Sequence, residues 1–177
     1  MNRTMRGIDH IGLTVPDIDA AGRFLIDGLG ARLLYEMLPK GSAPLGGPEV
    51  ERAIALPKGA LVTVIRMYQM EAGPGIELFE YRADEQREPV RASDFGWQHL
   101  AIYTDDLDAA VARAVSAGAA FLAEPWDMIN CESGRGARFC FVKAPFGSLI
   151  EFITYPEPQL YERETDLRRW KPPLTSR

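Results

Sequence analysis

The chain contains only two histidines, and both occur within the same kind of local sequence. His10 lies in the segment 7–13 (GIDHIGL) and His99 lies in the segment 96–102 (GWQHLAI). The two segments align at a spacing of 89 positions, which matches the glycine, the histidine and the alternating apolar residues. At the same spacing, residues 16–21 match residues 105–110. A self-match at a fixed period indicates a repeated supersecondary unit. Each copy therefore carries one imidazole at an equivalent position.

Two glutamates repeat in the same way at the other end of each copy. The segment 76–79 (IELF) matches 150–153 (IEFI), at the 74 positions from Glu77 to Glu151. Because this spacing is shorter than that of the histidines, the first copy is longer by about fifteen residues between its histidine and its glutamate. The glycine- and proline-rich segment 40–48 has the composition of an inserted loop.

Two imidazoles and two carboxylates are a donor set that suits a divalent ion with open positions for water or substrate. A single histidine on a strand is usually packed or exposed, and a glutamate near a strand end is usually solvated. Here both histidines and two glutamates flanked by apolar residues occupy repeat-equivalent positions. The sequence therefore predicts one divalent ion, either Zn, Ni, Co, Mn or Fe. Its predicted ligands are His10, Glu77, His99 and Glu151.

The elements that must position these residues follow from apolar periodicity. Alternation over 8–15 predicts a strand, and the next segment predicts a helix that is capped by Asp17 or Asp19 and ends at Gly30. Strands are predicted next at 32–37, 61–68 and 75–81. The second copy is predicted to contain a strand at 98–104, a helix at 107–117 and strands at 120–123, 138–142 and 149–155. The sequence thus predicts an α+β fold of two paired βαβββ modules that form a cupped, mixed β-sheet around a metal site.

If the apolar alternates face the helices, the histidines and glutamates point into the hollow of the curved sheet. The same parity predicts a mostly apolar and aromatic lining, as expected of a small-ligand site. Its members are Thr14, Phe79, Tyr81, Trp97, Ala101, Tyr103, Leu149 and Ile153. Arg66, Arg138 and Lys143 lie on or near these strands and are candidates for binding an anionic group, although each could equally be an exposed strand residue.

Composition narrows the classes of function. The formal net charge is −5 and the basic residues are scattered, which does not match the basic face of a nucleic-acid-binding protein. No apolar run approaches the roughly 18 residues of a membrane span, and the first residues lack an apolar signal core. Cys131 and Cys140 match neither a disulfide framework nor a close metal pair. We expect a cytoplasmic protein that binds a small molecule, with no nucleic-acid or membrane partner.

The repeat also defines the domain organisation. We predict a single domain over 7–155, with module one at 7–81, a linker at 82–95 and module two at 96–155, followed by a charged C-terminal tail at 156–177. Tyr161 and Trp170 could anchor this tail on its own subunit or on a partner. Each His–Glu pair is half of the predicted site, so the halves must meet within one chain or across a symmetric dimer. We expect a homodimer, because open strand edges profit from being covered.

Several segments resemble the vicinal oxygen chelate superfamily. They are 9–15 (DHIGLTV), 29–30 (LG), 75–81 (GIELFEY), 99–101 (HLA) and 145–151 (PFGSLIE), and the resemblance extends over residues 7–156. This family includes glyoxalase I, methylmalonyl-CoA epimerase, extradiol dioxygenases, fosfomycin-resistance transferases and bleomycin-binding proteins. The resemblance implies two βαβββ modules cupped around one metal, with the two histidines and two glutamates above at the four ligand positions.

The ligand set also favours some members of that family over others. Oxygen-activating members resemble a two-His, one-carboxylate arrangement, and Glu77 would fill a position that they leave for catechol or dioxygen. The resemblance to glyoxalase I and the epimerases implies that Glu151, or its equivalent Glu77, takes a proton from the carbon beside a metal-polarised carbonyl. We therefore predict a metal-dependent lyase or isomerase/epimerase. The alternatives are an Fe(II)-dependent extradiol-type dioxygenase and a non-catalytic small-molecule (drug) binding protein, and no basic cluster indicates glutathione or coenzyme A.

Overall fold

The computed structural model describes residues 4–173. Within this range the chain divides into two compact units. One unit runs to Ile26 and resumes from Gly30 to Arg87, and the other contains Asp27–Leu29 and begins again at Glu88. The division between Arg87 and Glu88 falls in the predicted linker.

The first unit is built on a mixed four-stranded sheet. Its elements are β1 (His10–Thr14), α1 (Ile18–Leu29), β2 (Arg32–Leu38), α2 (Pro48–Ile54), β3 (Leu61–Gln69) and β4 (Gly75–Arg82). The strand order is β1-β4-β3-β2, with β1 parallel to β4 and the other neighbours antiparallel. The short helix α2 was not predicted. It begins at the last residue of the predicted inserted loop, where proline is tolerated because the first helical N–H has no partner within the helix.

Local signals fix the limits of α1. The Asp17 carboxylate accepts hydrogen bonds from the N–H groups of Asp19 and Ala20, both at 2.9 Å, so Asp17 is the N-cap of the two candidates. At the other end Gly30 has a φ of 76°, which is a left-handed conformation that glycine adopts without strain. The apolar stripe of the helix is buried, at Ile18, Ala21, Phe24 and Leu25.

The second unit repeats this order with shorter strands at one edge. Its elements are β5 (His99–Tyr103), α3 (Leu107–Ser116), β6 (Ala120–Phe121), β7 (Trp126–Asp127), β8 (Arg138–Lys143) and β9 (Leu149–Thr154), with 3-10 turns at Asn130–Glu132 and Leu160–Arg163. The order is β5-β9-β8-β6, and β7 also pairs with β8. The predicted strand 120–123 is wrong in extent, since only two residues pair before the break that contains Pro125, and β7 follows that break.

Strand parity separates two faces in each sheet. In the first unit Leu78 lies opposite Arg66, which contacts α1, so Glu77 points away from the helix. In the second unit Thr154 lies opposite Arg138, which contacts α3, so Glu151 also points away from the helix. We call the surface opposite the helix the open face of each unit. No helix within the described residues is long and apolar enough to cross a membrane.

Candidate functional site

The first His–Glu pair lies on the open face of the first unit, where β1 runs parallel to β4. The Nε2 atom of His10 lies 3.2 Å from Oε2 of Glu77, whose side chain is 15% exposed. The other ring nitrogen, Nδ1, lies 2.7 Å from Oδ1 of Asp9. This hydrogen bond orients the ring and raises the pKa of His10 above its ordinary value. Gly75 is the register partner of His10, and a Cβ there would lie 3.4 Å from the His10 Cβ and 2.9 Å from the Met67 sulfur.

The second pair has the same geometry on the open face of the second unit. The Nε2 atom of His99 lies 3.3 Å from Oε2 of Glu151, whose side chain is 16% exposed. The edge of one ring meets the face of the other between His99 and Phe141, with centroids 5.2 Å apart and planes at 89°. Burial raises the pKa of Glu151, although the positive charges of His99 and Arg169 act in the opposite direction.

Each pair fits the geometry of two ligands on one divalent ion. Metal bonds of about 2.0 to 2.2 Å place donors in neighbouring coordination positions roughly 3 Å apart, close to the two N–O distances observed. Among residues 4–173, no group of three or more His, Cys, Asp or Glu side chains is placed to hold a metal ion. The structure therefore assembles the predicted residues as two pairs, and the four-ligand set remains a prediction.

The predicted lining residues of the first unit lie on its open face. Thr14 is the register partner of Phe79, and Phe79 stacks on Tyr81 with centroids 5.7 Å apart. Both rings pack against a buried apolar cluster of Leu38, Val62 and Ile65. Burial raises the pKa of the Tyr81 hydroxyl above its ordinary value.

The open face of the second unit carries a similar apolar cluster. Tyr103 and Phe139 pack against the buried residues Met128, Ala137, Ile153 and Tyr155. The Tyr103 and Tyr155 rings meet edge to face with centroids 5.0 Å apart. The remaining predicted lining residues, Ala101 and Leu149, lie on the same face as Glu151, and Ala101 is exposed whereas Leu149 is half-buried.

Two arginines that were predicted to line the pocket lie on the opposite face. The Nη1 atom of Arg66 is 2.7 Å from Oδ1 of Asp19 in α1. The Nη1 atom of Arg138 is 3.4 Å from Oδ2 of Asp108 in α3. Because residues that pair across antiparallel strands share a face, both arginines follow their helix-facing partners and not the glutamates. Their assignment to the pocket is corrected accordingly.

Two further candidates are solvated. Trp97 is 89% exposed and precedes β5, which begins at His99, so the strand does not place its ring against the sheet. Lys143 is exposed at the end of β8, where it pairs with Leu149 on the open face. Only Lys143 of the three basic candidates therefore lies on the same face as a glutamate of the site.

Several residues beside the pairs were missed by the sequence analysis. Asp9 was detectable, because a carboxylate that holds the second nitrogen is a common feature around metal-binding imidazoles. The C-terminal tail carries no such signal, yet residues 156–171, which we call the strap, lie against the second unit. Within it Tyr161 accepts a hydrogen bond from the N–H of Arg169 at 2.9 Å, and the Trp170 carbonyl accepts one from the Tyr155 hydroxyl at 2.6 Å. The Trp170 carbonyl thus ties the tail to Tyr155 of its own chain, whereas the Tyr161 contact lies within the tail.

Comparison with known proteins identifies the family of the chain. Residues 7–152 match the family model of the Glyoxalase/Bleomycin resistance protein/Dioxygenase superfamily. The chain belongs to this superfamily, which confirms the resemblance drawn from the repeated His and Glu motifs.

One curated relative and two solved structures illustrate the relationship. The chain is 31% identical over 169 residues to a 2-epi-5-epi-valiolone epimerase of Actinomyces sp., which covers 93% of this chain and 88% of the relative. A glyoxalase family protein from Bacillus cereus superposes with a TM-score of 0.66 at 20% identity, covering 86% of this chain and 96% of the other. A glyoxylase/bleomycin resistance protein/dioxygenase domain from Frankia sp. has a TM-score of 0.60 at 18% identity, covering 85% and 98%. The two structures support the α+β fold.

Proposed function

We propose that the protein is a metal-dependent epimerase, within the broader lyase or isomerase class, that acts on the carbon beside the carbonyl of a small ketone. The observation that carries the proposal is the repeated His–Glu pair with Nε2–Oε2 distances of 3.2 and 3.3 Å. The relative that is 31% identical supports the reaction class, because it is named as an epimerase. The ending -one in the name of its substrate, 2-epi-5-epi-valiolone, denotes a ketone.

His10, Glu77, His99 and Glu151 are the residues that would hold the metal. When bound, a divalent ion would polarise the carbonyl and stabilise negative charge that develops on its oxygen. The Asp9 carboxylate holds the second nitrogen of His10, which fixes the orientation of the ring.

Glu151 is the best candidate for the group that removes the proton. Burial raises its pKa when no cation is bound to it, which makes the free carboxylate a better proton acceptor than an exposed glutamate. Epimerisation also requires a proton to return to the opposite side of the same carbon. The repeat supplies a second carboxylate for this step, because Glu77 occupies the position equivalent to Glu151 in the other module.

The proton transfer can be tested with 2-epi-5-epi-valiolone in deuterated water under anaerobic conditions. We expect solvent deuterium to replace one hydrogen beside the carbonyl, as measured by NMR. Glu151→Gln and Glu77→Gln should each slow epimerisation by about 100-fold or more, the effect of losing a general base. Glu71→Gln is the matched control, since Glu71 is exposed in a turn outside the site.

Two results would contradict the proposal. Turnover that requires dioxygen would indicate the ring-cleaving alternative, and binding without deuterium exchange would indicate a binding protein. Metal content is an independent check, because wild-type protein that binds no divalent ion with useful affinity is incompatible with the proposed site.

A further inference from the structure

The strap is fixed to the second unit at its beginning. Gln159 is buried, and its side-chain nitrogen donates to the Glu132 carbonyl at 2.5 Å. The N–H of Leu160 donates to the Ser133 carbonyl at 3.0 Å. The backbone N–H of Gln159 also donates to the Glu162 carboxylate at 3.0 Å, which closes a capping box around the turn Leu160–Arg163. These bonds set the path of the residues that follow.

The end of the strap brings two cations to the Tyr155 ring. The guanidinium carbon of Arg169 lies 4.9 Å from the ring centroid, and the Lys171 Nζ lies 4.7 Å from it. Lys171 is also 5.8 Å from the centroid of Tyr103. All three distances are within the range of cation–π attraction, which holds a cation over an aromatic face.

The two cations differ in their partners. Arg169 Nη1 lies 2.8 Å from Oε1 of Glu132, so its charge is largely neutralised by that carboxylate. Lys171 makes no ion pair with any carboxylate among residues 4–173. Its ammonium group is exposed, so a ligand from solution can reach it.

The position of Lys171 relates it to the proposed proton-transfer residue. Tyr103 pairs with Ile153 across β5 and β9, and Ile153 is two residues after Glu151 on the same face. Two residues along a strand correspond to about 7 Å. The strand positions of Ile153 and Tyr155, whose neighbouring rings Lys171 contacts, are therefore about 7 and 14 Å along β9 from Glu151, on the same face of the sheet.

We propose that Lys171, held over Tyr103 and Tyr155 by the strap, binds an anionic substituent, a phosphate or a carboxylate, of the substrate that reacts at Glu151. The assignment of this anion to a ketone substrate rests on the proposed function above. The physical reason is that an unpaired ammonium group beside aromatic faces forms charge-assisted hydrogen bonds with an anion more strongly than with a neutral hydroxyl.

Direct binding tests the inference without turnover. The ring signals of Tyr103 and Tyr155 can be followed by NMR while inorganic phosphate or acetate is added to wild type, Lys171→Met, Lys171→Arg and Lys58→Met. Lys58 lies in an exposed loop of the first unit, so its variant matches the change in net charge. We expect Lys171→Met to weaken binding of the preferred anion about tenfold, with Lys171→Arg and Lys58→Met close to wild type. The stronger of the two probes identifies phosphate or carboxylate.

Kinetics then separate this inference from the proposed function. If 2-epi-5-epi-valiolone and its phosphate ester are both epimerised, Lys171→Met should raise KM for the ester about tenfold and leave kcat and the neutral ketone nearly unchanged. Anion binding that is equal in Lys171→Met and Lys58→Met would overturn the inference, even if epimerisation is observed. Loss of anion binding in Lys171→Met without any epimerisation would leave the anion site standing and refute the reaction.

Discussion

The two modules present the same His–Glu pair in different surroundings. The N–O distances differ by only 0.1 Å, at 3.2 and 3.3 Å. Yet His10 is held by the adjacent Asp9, whereas His99 follows Gln98 in the sequence and packs perpendicular to the Phe141 ring. The strap lies over the open face of the second unit, and within the described residues no cation is found over Tyr81, the first-module equivalent of Tyr155. The repeat thus preserves the pair of donors while each unit adds its own neighbours.

The packing of the helix on the sheet also differs between the two modules. Gly22 of α1 makes room for the Tyr68 hydroxyl on β3, and a Cβ on Gly22 would overlap that hydroxyl. The repeat-equivalent residues of the second module are Val111 on α3 and Val142 on β8, both buried. One module therefore combines a small helix residue with a large strand residue, and the other uses two of intermediate size.

The largest expected effect comes from removing an imidazole. We expect His99→Ala to lose most of the bound metal and most of the activity, because among residues 4–173 no third histidine can replace it. His10→Ala should lose metal and activity to the same extent if the two half-sites contribute equally to metal binding. Elemental analysis of purified protein measures the metal. Full metal stoichiometry in His99→Ala would show that the second pair is not part of the site.

Mixing two inactive variants tests how the halves combine. We propose a homodimer, supported by the outer edges of β1 and β5, which pair with no further strand among residues 4–173. If each site is shared between subunits, exchange of His10→Ala chains with Glu151→Ala chains should restore about a quarter of wild-type activity, because half the dimers are mixed and each has one intact site. Sites completed within one chain should show no recovery. Light scattering that finds a monomer at working concentration would refute the dimer.

The Asp9 carboxylate beside His10 should contribute more to metal affinity than the Gln98 amide beside His99. We expect Asp9→Asn to weaken metal affinity by about 10- to 100-fold, the usual effect of losing a residue that orients a metal-binding imidazole. Gln98→Ala is the matched change in the second module, and its affinity should stay close to wild type, since no contact of Gln98 with the ring is found in the structure. Competition with a chelator measures both values. Equal losses would remove the proposed difference between the half-sites.

The different residue sizes at these two positions predict that substitutions of Gly22 and Tyr68 have non-additive effects on stability. Gly22→Val should lower the free energy of unfolding by about 1 to 3 kcal/mol, because the new side chain collides with Tyr68. Tyr68→Val alone should also destabilise, since it leaves a cavity. The double variant reproduces the second module's pair, so it should be more stable than the sum of the two single losses predicts. If the losses of unfolding free energy measured by urea denaturation are strictly additive, the two residues do not compensate for each other.

The smallest effect concerns acid stability. Hydrogen bonds from Lys40 and Arg66 lower the pKa of Asp19 from 3.8 to about 2. Its stabilising contribution is therefore complete above pH 4 and is lost as the pH falls from 3.8 to about 2. Asp19→Asn should cost about 1 kcal/mol near neutral pH and flatten the stability profile in that window. Asp108→Asn is the control, because its 3.4 Å contact with Arg138 is exposed, and a loss as large as that of Asp19→Asn would contradict the comparison.

The sequence by itself determined the repeat, the two donor pairs and the elements other than α2, β6 and β7. Those features depend on local spacing, since alternation places His10 and Glu77 on one face of their strands and Asp17 and Gly30 limit a helix by their own conformations. Only the tertiary structure decided which strand residues share a face across the sheet. Arg66 and Arg138 turn toward the helices because of their register partners, which a single strand does not reveal. The strap likewise depends on contacts between residues far apart in sequence, such as Glu132 with Arg169, and no periodicity encodes such contacts.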